Sequence, residues 1–134
     1  MKLAITKDSI DIGIVTTDVK PMLKFYQDTL GLELEGVLDM PGGMQMTRLV
    51  CGTTVVKLVV NAKPPAAKPA PGGLVGGTGY RYWTITCSNL TAMIAKCRDA
   101  GYRVPVAPTE IRPGVTIAMV EDPDGNWLEL LQMG

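Results

Sequence analysis

Residues 10–36 read IDIGIVTTDVKPMLKFYQDTLGLELEG. Ile10 to Thr17 has the β-branched residues and the rough alternation of a strand. Asp18 then offers an N-cap, and Pro21 fits a first helical turn, where its missing N–H costs little. Met22, Leu23, Phe25, Tyr26 and Leu30 give the helix an apolar face, and Gly31 stops it. Leu32–Leu38, Met44–Cys51 and Thr53–Val60 follow as strand candidates, separated by the Pro41-Gly42-Gly43 turn and by Gly52. The order is βαβββ, a first module over residues 8–60.

Residues 61–79 hold four prolines and five glycines with no helical or strand period. They are expected to be a linker, a spacer between halves more than a mobile lid. From residue 80 the pattern restarts as a second module, 80–134. Tyr80–Cys87 is an aromatic and β-branched strand, and Ser88 or Asn89 caps the next helix. Leu90, Met93, Ile94 and Cys97 make an amphipathic stripe that ends at Gly101. Tyr102–Val106, Gly114–Val120 and Trp127–Met133 read as strands, the last two joined by the Asp122-Pro123-Asp124-Gly125 turn. The order is βαβββ again, so the chain repeats one unit. Laying Asp11-Ile12-Gly13-Ile14 on Tyr82-Trp83-Thr84-Ile85 brings Asp18 onto Asn89 and Asp28 onto Asp99. In the last strands Lys57 then falls opposite Glu129.

Composition narrows the function. The chain has 134 residues, 46% of them hydrophobic and 19% charged, which suits one folded domain over residues 1–134. No apolar run reaches the length of a membrane span, and the start MKLAITKDSID has no sustained apolar core of a secretory signal. Lys plus Arg equals Asp plus Glu at 13 each, so nothing pulls the whole chain toward nucleic acid or anionic lipid. Cys51, Cys87 and Cys97 are odd in number and never spaced CxxC, which suggests reduced thiols in a cytoplasmic protein. Histidine is absent. Ser-His-Asp and Cys-His catalysis are therefore excluded, and so is a metal site built on imidazole. Any general base must be Asp, Glu, Lys, Tyr or Cys.

Two short motifs fade. Asp122, Asp124 and Asn126 hint at a calcium loop, but Gly125 comes too early and position 133 is Met where the closing Glu should stand. Gly72 and Gly77 have phosphate-loop spacing, yet Thr78 occupies the lysine position. Arg48, Arg81, Arg103 and Arg112 are candidates for the rim of a pocket and no more than that.

IDIGIVTTDVKPMLKFYQDTLGLELEG near the start and VEDPDGNWLELLQ at 120–132 together resemble the vicinal oxygen chelate superfamily: glyoxalase I, bleomycin-resistance proteins, extradiol dioxygenases and methylmalonyl-CoA epimerase. The resemblance implies an α+β fold in which two βαβββ modules form a rolled mixed sheet around a cup, helices outside. It also implies a homodimer. Four cup-facing positions supply metal ligands in the metal-binding members, and here they are Asp11, Lys57, Tyr82 and Glu129. Glu129 alone has a typical ligand identity. Lys57 is a cation with no lone pair to give, so no metal and no cofactor are expected. Lys57 is expected instead to replace the metal's charge, held between Asp11 and Glu129 as a buried ion pair.

Strand alternation fills in the walls of that cup. Val15 shares the face of Asp11, while Val55 and Val59 share that of Lys57. Thr84 accompanies Tyr82, and Trp127 and Leu131 accompany Glu129. The ligand expected is a small molecule. Two functions fit. One is a metal-independent isomerase, epimerase or lyase that moves a proton next to a carbonyl. Glu129 would be the base, Lys57 the electrophile and Tyr82 a hydrogen-bond donor. The other is a non-catalytic protein that sequesters a hydrophobic compound, as bleomycin-resistance-type proteins do.

Overall fold

Each half of the chain builds a sheet with one helical face, and the computed structural model describes all residues 1–134. The chain divides into two compact units, Met1–Ala66 and Ala67–Gly134, so the division falls inside the expected linker. The first unit contains β1 (Ile12–Val15), α1 (Val19–Leu23), β2 (Glu33–Asp39), β3 (Gln45–Cys51) and β4 (Thr54–Val60). Its strand order is β1-β4-β3-β2, with β1 parallel to β4 and the remaining pairs antiparallel. The second unit contains α2 (Gly73–Gly76), β5 (Tyr82–Thr86), α3 (Leu90–Asp99), β6 (Val106–Arg112), β7 (Val115–Glu121) and β8 (Trp127–Met133). Its order is β5-β8-β7-β6, again with one parallel pair. The fold is α+β, two βαβββ modules with four-stranded mixed sheets.

The sequence signals for the first helix act as expected, with one difference. The Asp18 carboxylate accepts the Lys20 N–H at 3.1 Å, and Gly31 leaves the helical segment at φ +82°. After Leu23 the helix widens into a π-helical turn over Lys24–Thr29. There the Leu30 N–H donates to the Phe25 carbonyl, and the Thr29 hydroxyl donates to that of Lys24. The turn buries Phe25 and Tyr26 together, although they are neighbours in sequence. Their rings meet edge to face at 4.7 Å. Met22, Phe25 and Tyr26 are fully buried with Leu49, Val56 and Leu58, while Leu23 and Leu30 stay partly exposed. In the second unit Leu90, Ile94 and Cys97 of α3 are buried with Ala118, Val120 and Leu128. Fully burying a side chain of this kind contributes roughly 1.5–3 kcal/mol.

Two expectations change. Tyr102–Val106 is not a strand; β6 starts at Val106 and runs to Arg112. Pro108 falls inside β6, which lies at the edge of its sheet, where a missing N–H is tolerated. The register also shifts between Val106 and Thr109, a bulge that takes up Pro108. The linker is not structureless throughout either, since α2 lies within it. Arg81 donates from Nε to the Gly73 carbonyl at 2.6 Å and from Nη2 to those of Ala70 and Pro71. Three backbone carbonyls taken by one guanidinium tie residues 70–73 to the second unit.

The Asp122–Gly125 segment is a hairpin turn. Asp122 Oδ1 accepts the N–H groups of Asp124 and Asn126, its Oδ2 accepts the Asn126 side-chain amide, and Gly125 has φ +87°. That carboxylate is spent on the turn itself.

Candidate functional site

Register decides which side chains share a face. In the first sheet Gly13 pairs with Lys57, Lys57 with Arg48, and Arg48 with Gly36, so these four form one rung across all four strands. The adjacent rung is Val15, Val59, Met46 and Leu38, and Val55 opposite Val50 lies on the other side. The equivalent rung of the second sheet is Thr84, Glu129, Met119 and Val106. The repeat drawn from sequence is therefore correct at its centre: Gly13 corresponds to Thr84 and Lys57 to Glu129.

Asp11 stands just before β1. Its Oδ1 accepts the Val55 N–H at 2.8 Å and pairs with Lys7 Nζ at 2.5 Å. The Lys7 hydrogen bond, then that from Val55, and the charges of Lys7 and Lys57 hold this carboxyl below the usual aspartate range against some desolvation. Asp11 thus finishes the β1–β4 ladder. Lys57 is partly buried and a partner in none of the three salt bridges. The buried pairing of Lys57 with Asp11 is replaced by the pairing with Lys7, which sits four residues away and reaches the carboxylate without crossing a strand.

Arg48 was one of four unranked arginines, and the structure places it directly opposite Lys57. Its Nε donates to Glu35 at 2.9 Å, and its side chain is 24% exposed. The signal lay in the hairpin: a turn at Gly52-Thr53 pairs Cys51 with Thr54 and so brings 48 opposite 57.

In the second sheet Glu129 is partly buried and accepts the Thr84 hydroxyl at 2.8 Å. Thr84, expected to line the ligand site, orients the candidate base. Tyr82 is 48% exposed and lies opposite Trp127. The Trp127 indole N–H donates to Glu121 at 3.1 Å, and a Cβ added at Gly73 would lie 2.1 Å from the ring. The α2 backbone therefore covers part of the indole, and Gly73 has no room for a side chain. Leu131 continues this face opposite Thr86 and Ile117. Val55 and Val59 are buried and Val15 is 53% exposed.

The residues at the four ligand positions do not fit a divalent metal. One of them is an ammonium, Asp11 is committed to Lys7 and a backbone N–H, and in neither unit do three His, Cys, Asp or Glu side chains gather. Burial pushes the Cys51 and Cys97 thiols up, away from reactive thiolate character. No helix is long and apolar enough to cross a membrane.

Paired βαβββ units with polar residues at the centre of each sheet define a glyoxalase-like fold. The chain belongs to the Glyoxalase/Bleomycin resistance protein/Dioxygenase superfamily, whose sequence profile matches residues 9–130. It is 30% identical over 122 residues to a probable lactoylglutathione lyase from Synechocystis sp., covering 86% of this chain and 87% of that one. A glyoxalase family protein from Bacillus cereus has a similar structure, with TM-score 0.83, 16% identity and coverage of 98% and 97% of the two chains. TnmS3, an antibiotic binding protein from Streptomyces sp. CB03234, is similar at TM-score 0.68 and 21% identity over 99% and 100%.

Proposed function

We propose that the chain is a glyoxalase-like enzyme, a lyase or isomerase that moves a proton next to the carbonyl of a small molecule without a metal. Glu129 is the base, Lys57 the cation that receives charge on the carbonyl oxygen, and Tyr82 a hydrogen-bond donor to the same substrate. One observation carries this reading. Glu129 is oriented by a neutral hydroxyl and not neutralised by a cation, while Lys57 is free of any salt bridge. A carboxylate held in place and an ammonium outside any salt bridge are the two groups an enolate-forming reaction requires. The likeness to a probable lactoylglutathione lyase supports the lyase class. The protein is proposed to act as a cytoplasmic homodimer, which light scattering after gel filtration checks.

Proton NMR in deuterium oxide tests the chemistry. S-lactoylglutathione and a panel of carbonyl compounds with acidic α-hydrogens are incubated with protein exhaustively treated with EDTA. Exchange of an α-hydrogen by the wild type, lost in Glu129→Gln, is the expected result. Exchange that returns only with added metal overturns metal independence, and undiminished exchange in Glu129→Gln overturns the assignment of the base.

The half-exposed Tyr82 and Val15 favour a second reading, an apolar grip on a hydrophobic compound without turnover. The likeness to an antibiotic binding protein supports it. In that case Trp127→Ala weakens binding more than Glu129→Gln does, and no compound in the panel exchanges.

A further inference from the structure

The rung Gly13–Lys57–Arg48–Gly36 sets two cations side by side between two residues without side chains. Like charges directly opposite each other destabilise a sheet, so the pair is a poor choice for stability alone. Nor does the backbone ask for the glycines. Neither Gly13 nor Gly36 has a positive φ, although Gly36 adjoins the bulge after Leu34. A Cβ on either would meet nothing within 4 Å. Glycine inside a strand weakens it and often marks a place where another group approaches the backbone closely.

Lys57 forms no salt bridge with the carboxylates on this face, although its charge acts on Asp11. Asp11 is held by Lys7 and the Val55 N–H, and Glu35 takes Arg48 through Nε. Glu33 stands on the edge strand opposite Val50 and joins no salt bridge. Arg48 Nη1 touches only the Met46 sulfur, a weak acceptor at 4.0 Å. Next to the charged rung lie Val15, Val59, Met46 and Leu38. Two under-used cations therefore lie on a sheet face beside an apolar rung.

We propose that this rung is an oxyanion-binding site. Arg48 and Lys57 together hold the carboxylate or phosphate group of a small molecule whose apolar part lies along Val15, Val59 and Met46. Gly13 and Gly36 leave the space the group occupies. Arginine suits such a group because its forked donors match two oxygens, and lysine adds a point charge. The proposal rests on the small-molecule reading above and adds the chemistry of the group recognised.

Three probes sharing one ring test it on the ¹⁵N-labelled full-length protein: benzoate, phenyl phosphate and neutral benzyl alcohol. At least one anion is expected to shift the amides of Gly13, Gly36, Arg48 and Lys57 saturably, with affinity at least tenfold above that of benzyl alcohol. The tighter anion identifies the group as carboxylate or phosphate. Lys57→Met and Gly13→Val, each checked for an intact fold by its amide spectrum, are both expected to lose at least tenfold. Gly13→Val does so with both cations present. No saturable shift with either anion, equal binding of benzyl alcohol, or wild-type affinity in Lys57→Met overturns the site. The experiment needs no turnover. Anion binding without α-hydrogen exchange in any compound overturns the catalytic reading and leaves the site standing. Exchange that depends on Glu129 without anion binding does the reverse.

Discussion

The two central rungs occupy the same place in two copies of one module and have opposite chemistry. The first carries Gly13, Lys57, Arg48 and Gly36; the second carries Thr84, Glu129, Met119 and Val106. In the second, Thr84 fills the place of Gly13 and donates to the carboxylate beside it. In the first, glycine leaves that place without a side chain and the lysine makes no salt bridge. A sheet scaffold fixes where a side chain stands and leaves its chemistry open. One module thus presents an oriented carboxylate, the other a cation outside any salt bridge.

The largest effect expected from disturbing this contrast is at Glu129. Glu129→Gln keeps the Thr84 hydrogen bond and removes the basic oxygen, so turnover should fall by about 10²–10⁴, the range of general-base catalysis. Ligand affinity should stay within about tenfold, or roughly 1.4 kcal/mol. Steady-state kinetics and calorimetry on the same protein separate the two.

The helix starts offer the next comparison. Asp18 caps α1 with its own side chain, whereas Asn89 makes no such bond. The buried Leu90 N–H donates instead to Gln132 of β8 at 2.9 Å. Gln132→Ala leaves that N–H without its acceptor and should cost about 1–3 kcal/mol in urea unfolding. Asp18→Ala should cost about 1 kcal/mol, and Asn89→Ala less than about 0.5 kcal/mol. A larger loss at Asn89 than at Gln132 would reverse the assignment of the cap.

Lys57→Met is expected to leave stability unchanged or raise it by about 0.2–1 kcal/mol, because it removes a like charge opposite Arg48 and strands no carboxylate. A marked loss of stability would show that Lys57 has a counterion. The smallest effect concerns acid. Asp11 has a folded-state pKa below its unfolded one, so its contribution is complete above the unfolded value and disappears as pH falls through the folded one. The stability difference between wild type and Asp11→Asn should accordingly shrink on acidification through the carboxylate range, and one that grows would reverse the sign.

Most of the fold was legible because local signals agreed: alternation for strands, a cap at Asp18, glycine at each helix end. The second-module strands after α3 were not all legible. Pro108 falls within β6, and only edge position and a bulge make a strand tolerable there. The repeat correctly aligned Lys57 with Glu129, since strand register is a counting problem. Their partners escaped notice. Lys7 reaches Asp11 from an irregular segment that has no period, and Arg81 recruits three carbonyls through tertiary contacts that composition does not encode.

The proposed function has Glu129 and Lys57 act on one substrate, and a double-mutant cycle on turnover tests that proposal most directly. Groups that act as a unit in catalysis are not additive. Glu129→Gln with Lys57→Met should therefore be no slower than the slower single variant, both singles being impaired at least tenfold. Turnover losses that multiply in the double variant, or a Lys57→Met enzyme as fast as wild type, would contradict it.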